Sequence, residues 1–252
     1  MDTLKTGVPW LDRLMPQGLP IRTVTLLSGP GGSGKPLIGD NFAAAWLRQG
    51  GSVVFMSLQY PSTDFIYESL KTVAGLDLHD YRDRVAFISL DATIDDMGPV
   101  EGNIFRANLV KPDVWDAALE RAIGLVPDQG PGIMIFGSAL NLLLFSPTYG
   151  EKLLDKWEAL FRKSPKEYTY VFSVSTTAKK KEIARLEAVA ENLIMTRSEK
   201  EPFRLYMRIV RLKGVPFSSE EIQVPIPPHA LAHVKEIAEH SRKRVIPQVS
   251  RI

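Results

Sequence analysis

The sequence predicts an α/β fold in three layers, with a mostly parallel central sheet and late antiparallel strands. Two observations support this prediction. Short apolar runs alternate along the chain with longer segments of helical pattern, as in repeated units of strand, helix and strand. The runs are continuous in their apolar residues, as in strands that are buried on both faces of a parallel sheet. Right-handed crossovers between such strands place helices on both faces of the sheet.

The predicted strands and helices follow one another from residue 23. Apolar runs predict five strands, at residues 23–28, 52–58, 85–90, 132–136 and 168–175. Helical patterns predict five helices, at residues 37–49, 62–74, 113–125, 151–162 and 182–191. Asp113 is the predicted N-cap of its helix, because a short acidic side chain accepts hydrogen bonds from free backbone N–H groups. Residues 91–112 contain Gly-Pro and Lys-Pro pairs and are predicted to be irregular.

The last part of the chain has a different pattern. Residues 193–196, 203–212 and 221–225 are predicted to be late antiparallel strands, followed by a helix from near residue 229 to residue 242. A chain of 252 residues, of which 44% are hydrophobic, suffices for one large core. We therefore expect a single domain over residues 1–252, with residues 226–252 as a C-terminal helical tail.

Composition narrows the classes of function. The chain has 31 basic and 29 acidic residues and a formal net charge of +2, which argues against a protein that coats nucleic acid. It has no cysteine, which excludes disulfides, thiol catalysis and cysteine-bound zinc. The sequence shows neither a signal-peptide pattern nor an apolar run long enough to span a membrane. We expect a cytoplasmic protein without a metal site and without a membrane partner.

Residues 29–36 read GPGGSGKP and match the phosphate-binding loop G-x-x-x-x-G-K-[ST] at every defined position except the last. A predicted strand precedes the loop and a predicted helix follows it. Backbone N–H groups and the helix dipole would then face the phosphates, and Lys35 would reach the outer ones. The residues predicted to bind nucleotide are Gly29, Gly31, Gly32, Ser33, Gly34, Lys35, Pro36 and Leu37. The less favoured interpretation is a glycine-rich turn beside a surface lysine.

Pro36 replaces the serine or threonine of the pattern, and this changes what the loop can do. Proline has no hydroxyl group to hold Mg²⁺ and no N–H group to donate to a phosphate. It does not break the following helix, because proline is tolerated in the first turn. We therefore expect ATP or ADP as the ligand, with Mg²⁺ bound weakly or not at all.

The residues before the loop carry a longer pattern. Residues 6–35, TGVPWLDRLMPQGLPIRTVTLLSGPGGSGK, resemble the start of a KaiC/RecA-type ATPase domain, the group that includes RadA-like proteins. Further blocks of the chain resemble that family at residues 53–60, 133–143, 186–195 and 208–214. The resemblance implies a RecA-like P-loop NTPase fold. It also implies an oligomer, either a ring of identical chains or a heteromer with an active paralogue.

The chain departs from this family where the resemblance places the catalytic groups. Gln59 and Tyr60 stand where the family has catalytic glutamates, and Gly137 stands where it has the Walker B aspartate. The glutamate polarises the attacking water, and the aspartate orients the shell around Mg²⁺. With Pro36, four positions that serve metal and water have changed, so no catalytic residue is intact. Gln59 is either a weak orienter of water or, as we favour, a polar residue at a strand end.

Two basic residues stand where the family places contacts to a neighbouring subunit's nucleotide. The resemblance therefore assigns Arg211 and Lys213 to a phosphate across a subunit interface. The alternative is that they alternate on the solvent face of a strand.

Three functions remain open from the sequence. The preferred one is a pseudo-ATPase, nucleotide-binding at most, with little or no ATP hydrolysis and a role as a scaffold or regulatory subunit. The second is a slow ATP-hydrolysing KaiC/RadA-like ATPase, and the third is a DNA-binding recombinase paralogue. The third has little support, since the basic runs at residues 179–181 and 242–244 are short and more typical of solvated surface.

Overall fold

A computed structural model of the chain describes residues 2–201, 203–225 and 239–252. Within these ranges the strands are β1 Thr3–Leu4, β2 Leu19–Pro20, β3 Val24–Gly29, β4 Ser52–Ser57, β5 Val85–Leu90, β6 Ile104–Ala107, β7 Ile133–Gly137, β8 Thr169–Ser175, β9 Asn192–Lys200, β10 Phe203–Arg211 and β11 Ile222–Val224. The α-helices are α1 Pro9–Leu14, α2 Lys35–Arg48, α3 Asp64–Ala74, α4 Pro112–Ile123, α5 Gly150–Arg162, α6 Lys180–Val189 and α7 Ile246–Val249. None of the helices in the described ranges is long and apolar enough to cross a membrane.

Nine strands of the described ranges form one sheet in the order β11-β10-β9-β3-β8-β7-β4-β5-β6. Neighbouring strands from β9 to β6 are parallel, whereas β10 pairs antiparallel with both β9 and β11. The predicted three-layer α/β fold with a mostly parallel sheet is confirmed. One detail was not predicted, because β9 is antiparallel toward β10, as expected, but parallel toward β3. It follows the helix α6 and enters the sheet in parallel beside β3, as a crossover connection requires.

The apolar runs of the sequence are the central strands of this sheet. Strands β3, β4 and β7 are buried at every position, which is why their sequences are apolar without alternation. Strand β6 lies in the segment that was predicted to be irregular, so that prediction was wrong at residues 104–107. This strand is short, lies at the sheet edge and exposes Arg106, and its pattern is therefore weak.

The start of α4 also differs from the prediction. The N-cap residue is Lys111, Pro112 is in the first helical turn, and Asp113 follows it inside that turn. Proline is well suited to this position because its fixed φ angle matches the helix and its missing N–H group would have no helical partner. The carboxylate of Asp113 still lies near the positive end of the helix dipole.

Two apolar layers cover the sheet. Helices α1, α2 and α3 bury their apolar residues on one face, and α4, α5 and α6 bury theirs on the other. Trp46 of α2 is fully buried in the first layer. Trp115 of α4 and Trp157 of α5 are packed against each other in the second layer, with ring centroids 5.5 Å apart. The sheet is thus buried on both faces, as predicted.

The C-terminal segment packs on the second layer. Val245 and Val249 are buried among its residues, and Ile246 and Ile252 are partly buried against it. Part of the predicted helix, residues 229–238, lies outside the described residues. The single domain with a tail from residue 226 stays a prediction.

Candidate functional site

The glycine loop joins β3 to α2 at the carboxyl edge of the parallel strands, where ligands bind in open α/β sheets. Gly32 and Gly34 have φ angles of +76° and +67°, a left-handed conformation that favours glycine. Gly34 is also covered closely, because a Cβ atom there would lie 2.1 Å from Cδ1 of Leu205 in β10. A Cβ atom at Gly29 would lie 2.2 Å from Oγ1 of Thr196 in β9. Strands β9 and β10 therefore hold the loop in its shape.

The side chain of Lys35 is folded into the loop. Its Nζ atom donates to the carbonyl oxygens of Gly29 at 2.9 Å and Pro30 at 2.6 Å, and to Oγ of Ser33 at 3.1 Å. The lysine is only 5% exposed, and all three acceptors are uncharged. Burial lowers the pKa of Lys35 to about 7. The surface lysine of the less favoured interpretation is therefore excluded.

Hydroxyl groups from distant strands complete the loop. Ser33 Oγ lies 2.6 Å from Oγ1 of Thr196 and donates to the carbonyl of Pro30 at 2.7 Å. The backbone N–H of Gly31 donates to Oγ1 of Thr177 at 2.9 Å. Sequence reasoning did not find Thr177 or Thr196. Thr177 lies two residues after the end of β8, and a hydroxyl just after a buried parallel strand is a usable signal, whereas nothing in the sequence near Thr196 marks its role.

Helix α2 begins at Lys35 and contains Pro36 in its first turn. The proline is accommodated there, as the sequence predicted. Leu37 donates its N–H to the carbonyl of Gly34 at 3.0 Å, and its side chain is buried in the apolar layer of α2. The side chain of Leu37 is therefore part of the core, and its role in nucleotide binding stays a prediction.

The residues after β4 are buried at the same edge of the sheet. Gln59 is 8% exposed and Tyr60 is 9% exposed. Burial raises the pKa of Tyr60, and the nearby carboxyl of Asp40 raises it further. The aromatic ring of Tyr60 packs with the apolar layer of α2. A phenol inserted into the core thus stands where the family resemblance places a catalytic carboxylate.

Asp40 of α2 is a buried carboxyl group that sequence reasoning missed. It is fully buried, and Ser69 of α3 donates its hydroxyl hydrogen to Oδ2. The other oxygen, Oδ1, has no hydrogen-bond partner among the described residues. Burial raises the pKa of Asp40 to about 7, and the hydrogen bond from Ser69 opposes this. An aspartate within a helix is normally expected on the face exposed to solvent. Here the only sequence signal for its burial is that its neighbours in α2 are mostly apolar.

The ring of Phe172 fills the space that a side chain at residue 137 would need. Gly137 of β7 pairs with Phe172 of β8, and a Cβ atom at residue 137 would lie 2.9 and 3.1 Å from two ring atoms of Phe172. These distances are shorter than a normal contact, so any side chain at residue 137 would have to displace the ring. The ring itself is fully buried in the second apolar layer.

Arg211 and Lys213 are not brought to the glycine loop of their own chain. Arg211 pairs with Leu193 near the start of β9, which is the edge of the sheet opposite to the loop. Its Nη2 atom donates to the carbonyl of Glu187 at 2.5 Å, and Nζ of Lys213 donates to Oε1 of Glu191 at 2.5 Å. Their assignment to a neighbouring subunit's phosphate stays a prediction.

One lysine in each of the two short basic runs has an acidic partner. Lys179 lies 3.9 Å from Glu182 and 5.6 Å from the ring centroid of Phe145. Lys243 forms an ion pair with Glu239 at 3.0 Å. These contacts reduce the positive charge that a nucleic-acid surface would need.

Comparisons with known proteins agree with the sequence pattern and with the fold. The family model described as "ATPase: KaiC" matches residues 4–115. A UPF0273 protein of Aeropyrum pernix is 31% identical over 98 residues, which is 39% of either chain. A UPF0273 protein of Pyrococcus horikoshii is 29% identical over 89 residues, which is 35% of either chain. The matched part of this chain thus spans about two fifths of the length of these curated relatives.

A solved structure resembles most of the chain. The crystal structure of a KaiC-like protein from Pyrococcus horikoshii superposes with a TM-score of 0.68 over 90% of this chain and 96% of that one. The sequence identity is 16%, so this similarity concerns the fold. Residues 4–115 are thus similar to the KaiC-type ATPase family, and the fold of the chain is similar to that of a KaiC-like protein.

Proposed function

We propose that this domain binds a nucleotide by its phosphates, hydrolyses ATP slowly or not at all, and acts as a scaffold or regulatory subunit. One observation carries the proposal. The positions from which a P-loop domain would hold metal and water are occupied by Pro36, by the buried Tyr60 and by Gly137, whose side-chain space is filled by Phe172. The loop that contacts phosphate keeps its shape, while the groups for hydrolysis are replaced by apolar packing.

The phosphate side of the site fits a nucleotide. Gly32 and Gly34 keep the left-handed backbone of the loop, and the positive end of the α2 dipole points toward it. Lys35 is held in the loop by three hydrogen bonds. A phosphate near this lysine would favour its charged form and raise its pKa again. These features support binding of the phosphate chain.

The residues present do not fit Mg²⁺. Pro36 offers no oxygen from its side chain, and a carboxylate at residue 137 would overlap the ring of Phe172. Gln59 and Tyr60 are neutral groups and are buried. Loss of a general base alone costs about 10²–10⁴-fold in rate, and loss of the metal adds to this cost. We expect ATP turnover close to the uncatalysed level.

A slow ATPase is the second candidate, and one observation favours it. The carboxyl of Asp40 lies near Tyr60 and has a pKa of about 7, which is close to the ideal value for a general base at neutral pH. Against this, the group is fully buried and faces Ser69 of the core. Turnover that depends on Asp40, measured with Asp40→Asn, would support the slow ATPase.

The first experiment is a titration with a fluorescent ATP analogue, with and without Mg²⁺, together with an assay of phosphate release. We expect Mg²⁺-independent binding that is lost in Lys35→Ala, and no phosphate release above background. Lys71→Ala is the matched control, because it removes an exposed lysine of α3. Binding that strengthens with Mg²⁺, accompanied by turnover that requires Lys35, would favour the ATPase. No binding to the wild-type chain would reject nucleotide binding altogether.

The scaffold or regulatory role is tested separately. The chain keeps the fold but lacks the groups for hydrolysis. This combination favours a role that depends on the shape of the protein and on its assembly with other chains. Light scattering on the purified chain should give a defined oligomer, alone or with an active paralogue. A monomer that associates with no paralogue would contradict this part of the proposal.

A further inference from the structure

We infer that the glycine loop selects a nucleoside diphosphate over a nucleoside triphosphate. This inference rests on the proposed nucleotide binding and names the ligand class of the same site. In a P-loop, the backbone N–H groups cradle the inner phosphates, the lysine reaches the outer ones, and the hydroxyl after the lysine holds Mg²⁺. This chain keeps the backbone N–H groups of the loop. Its lysine, Lys35, is engaged in hydrogen bonds within the loop, and the hydroxyl is absent because residue 36 is proline.

The donors of Lys35 are already used. An ammonium group has three N–H donors. Those of Lys35 match three acceptors inside the loop, the carbonyls of Gly29 and Pro30 and the hydroxyl of Ser33, at 2.9, 2.6 and 3.1 Å. A terminal phosphate could receive a hydrogen bond from Lys35 only if one of these bonds were broken. The lysine is also 5% exposed, so it would have to move outward to reach a distant phosphate.

The loop offers little to an outer phosphate. Pro36 has no hydroxyl that could hold a metal ion beside such a phosphate, although the pattern supplies one at this position. The N–H of Gly31 donates to Thr177 at 2.9 Å. In the inner turn, Gly32 and Gly34 have the left-handed φ angles that let backbone N–H groups converge on an anion. The loop is thus equipped for the inner phosphates and poorly equipped for a third.

Charge supports the same conclusion. A triphosphate brings more negative charge than a diphosphate, and Mg²⁺ normally neutralises the excess. Here Gly137 leaves no room for a metal-orienting carboxylate beside Phe172. Arg211 donates to the backbone carbonyl of Glu187, and Lys213 forms an ion pair with the carboxylate of Glu191, both at the edge of the sheet opposite to the loop. The added phosphate would enter the site with only Lys35, whose donors are engaged within the loop, to balance its charge.

The test is calorimetric titration of the full chain, freed of nucleotide, with ADP, AMP and the β,γ-methylene analogue of ATP. Each ligand is measured in EDTA and in Mg²⁺. We expect ADP to bind at least about tenfold more tightly than the ATP analogue, which corresponds to one unmatched charged hydrogen bond. We also expect ADP to bind more tightly than AMP, and Mg²⁺ to change neither difference in affinity.

Equal or tighter binding of the ATP analogue would overturn the inference while leaving nucleotide binding intact. Equal binding of AMP would overturn it too. No binding of any of the three would reject the proposed function itself.

A pair of variants separates the two groups that Pro36 lacks. Pro36→Ala restores the N–H group, and Pro36→Thr restores the N–H group and the hydroxyl. We expect the diphosphate preference to persist in Pro36→Ala and to shrink in Pro36→Thr only when Mg²⁺ is present. A preference that disappears in Pro36→Ala without Mg²⁺ would contradict the role assigned to the missing metal ligand. Circular dichroism spectra of both variants check that α2 is retained.

Discussion

At the scale of single residues, the site contains two buried ionisable groups that have neutral hydrogen-bond partners. Lys35 donates to two carbonyls and a hydroxyl, and Asp40 accepts from the hydroxyl of Ser69. Burial brings the pKa of the lysine down to about 7 and that of the aspartate up to about 7. Both groups therefore change charge near neutral pH, so the stability of the chain depends on pH in two separate windows.

The first prediction concerns Asp40→Asn. The folded chain holds the Asp40 proton up to about pH 7, whereas the unfolded carboxyl loses it near its ordinary pKa of 3.8. The folded state binds more protons between these values, so the wild-type free energy of unfolding falls as pH rises through this window. Asparagine has no such dependence. We expect Asp40→Asn to gain stability relative to wild type by about 2 kcal/mol more at pH 8 than at pH 5.

Urea unfolding at the two pH values measures this difference. Asp83→Asn is the control, because it changes an exposed aspartate and should shift stability equally at both. If the stability of Asp40→Asn relative to wild type is no greater at pH 8 than at pH 5, the Asp40 carboxyl is ionised in the folded chain. Lys35 also makes stability depend on pH, between its folded pKa of about 7 and its ordinary value of 10.5. All three proteins contain this lysine, so its effect cancels in the comparison.

The residues of the site were only partly predictable from sequence. The glycine loop and Lys35 follow a fixed spacing over eight adjacent residues, so the sequence alone locates them. Thr196, by contrast, reaches Ser33 from 163 residues further along the chain. Phe172 fills the position beside Gly137 only because β7 and β8 are neighbours in a particular register. Contacts of this kind depend on strand order, which local patterns do not encode.

At the scale of secondary-structure elements, β10 determines the shape of the loop. Gly34 combines a left-handed φ angle with a Leu205 methyl group 2.1 Å from the place of a Cβ atom. Gly32 has a similar φ angle but nothing within 4 Å of that place. A substitution at Gly32 therefore tests backbone strain alone, whereas a substitution at Gly34 tests backbone strain together with overlap with β10.

The second prediction compares Gly34→Ala with Gly32→Ala. Each variant incurs the cost of a left-handed alanine, roughly 1–2 kcal/mol. Gly34→Ala should lose roughly 1–3 kcal/mol more, because the added methyl group overlaps Leu205. Thermal unfolding measures both, and Gly34→Ala with Leu205→Ala tests whether removal of the leucine methyl groups relieves the extra loss. Equal losses in the two single variants would mean that β10 does not press on the loop.

The central elements were the most predictable part of the fold. The strand predicted at residues 85–90 is observed at Val85–Leu90, because a run buried on both faces carries an unambiguous pattern. The edge strand Ile104–Ala107 was missed because it is four residues long and half exposed. The pairing of Asn192–Lys200 in parallel with β3 was missed because it depends on the crossover through α6.

At the scale of the whole molecule, the sheet and its two apolar layers include the C-terminal segment. Val249 is fully buried in the layer of α4, α5 and α6, although it stands near the end of the chain. The described end of the chain therefore contributes to the core.

The third prediction follows from this packing. Val249→Ala should lower the free energy of unfolding by about 1–2 kcal/mol, as expected for buried methyl groups. Arg251→Ala is the control on an exposed side chain in the same segment and should have little effect. Unfolding should remain one transition when followed by both tryptophan fluorescence and circular dichroism. A separate early transition in Val249→Ala would show that the segment does not unfold together with the sheet.

The position of β3 in the middle of the sheet has a consequence for synthesis on the ribosome. This strand comes early in the chain, but its two neighbours, β8 and β9, begin only at Thr169 and Asn192. The apolar strand and the loop that follows it must therefore wait for most of the polypeptide before they are enclosed. Such long-range pairing slows folding and leaves apolar surface open to aggregation in the meantime. The nascent chain is thus expected to depend on chaperones until β9 has left the ribosome.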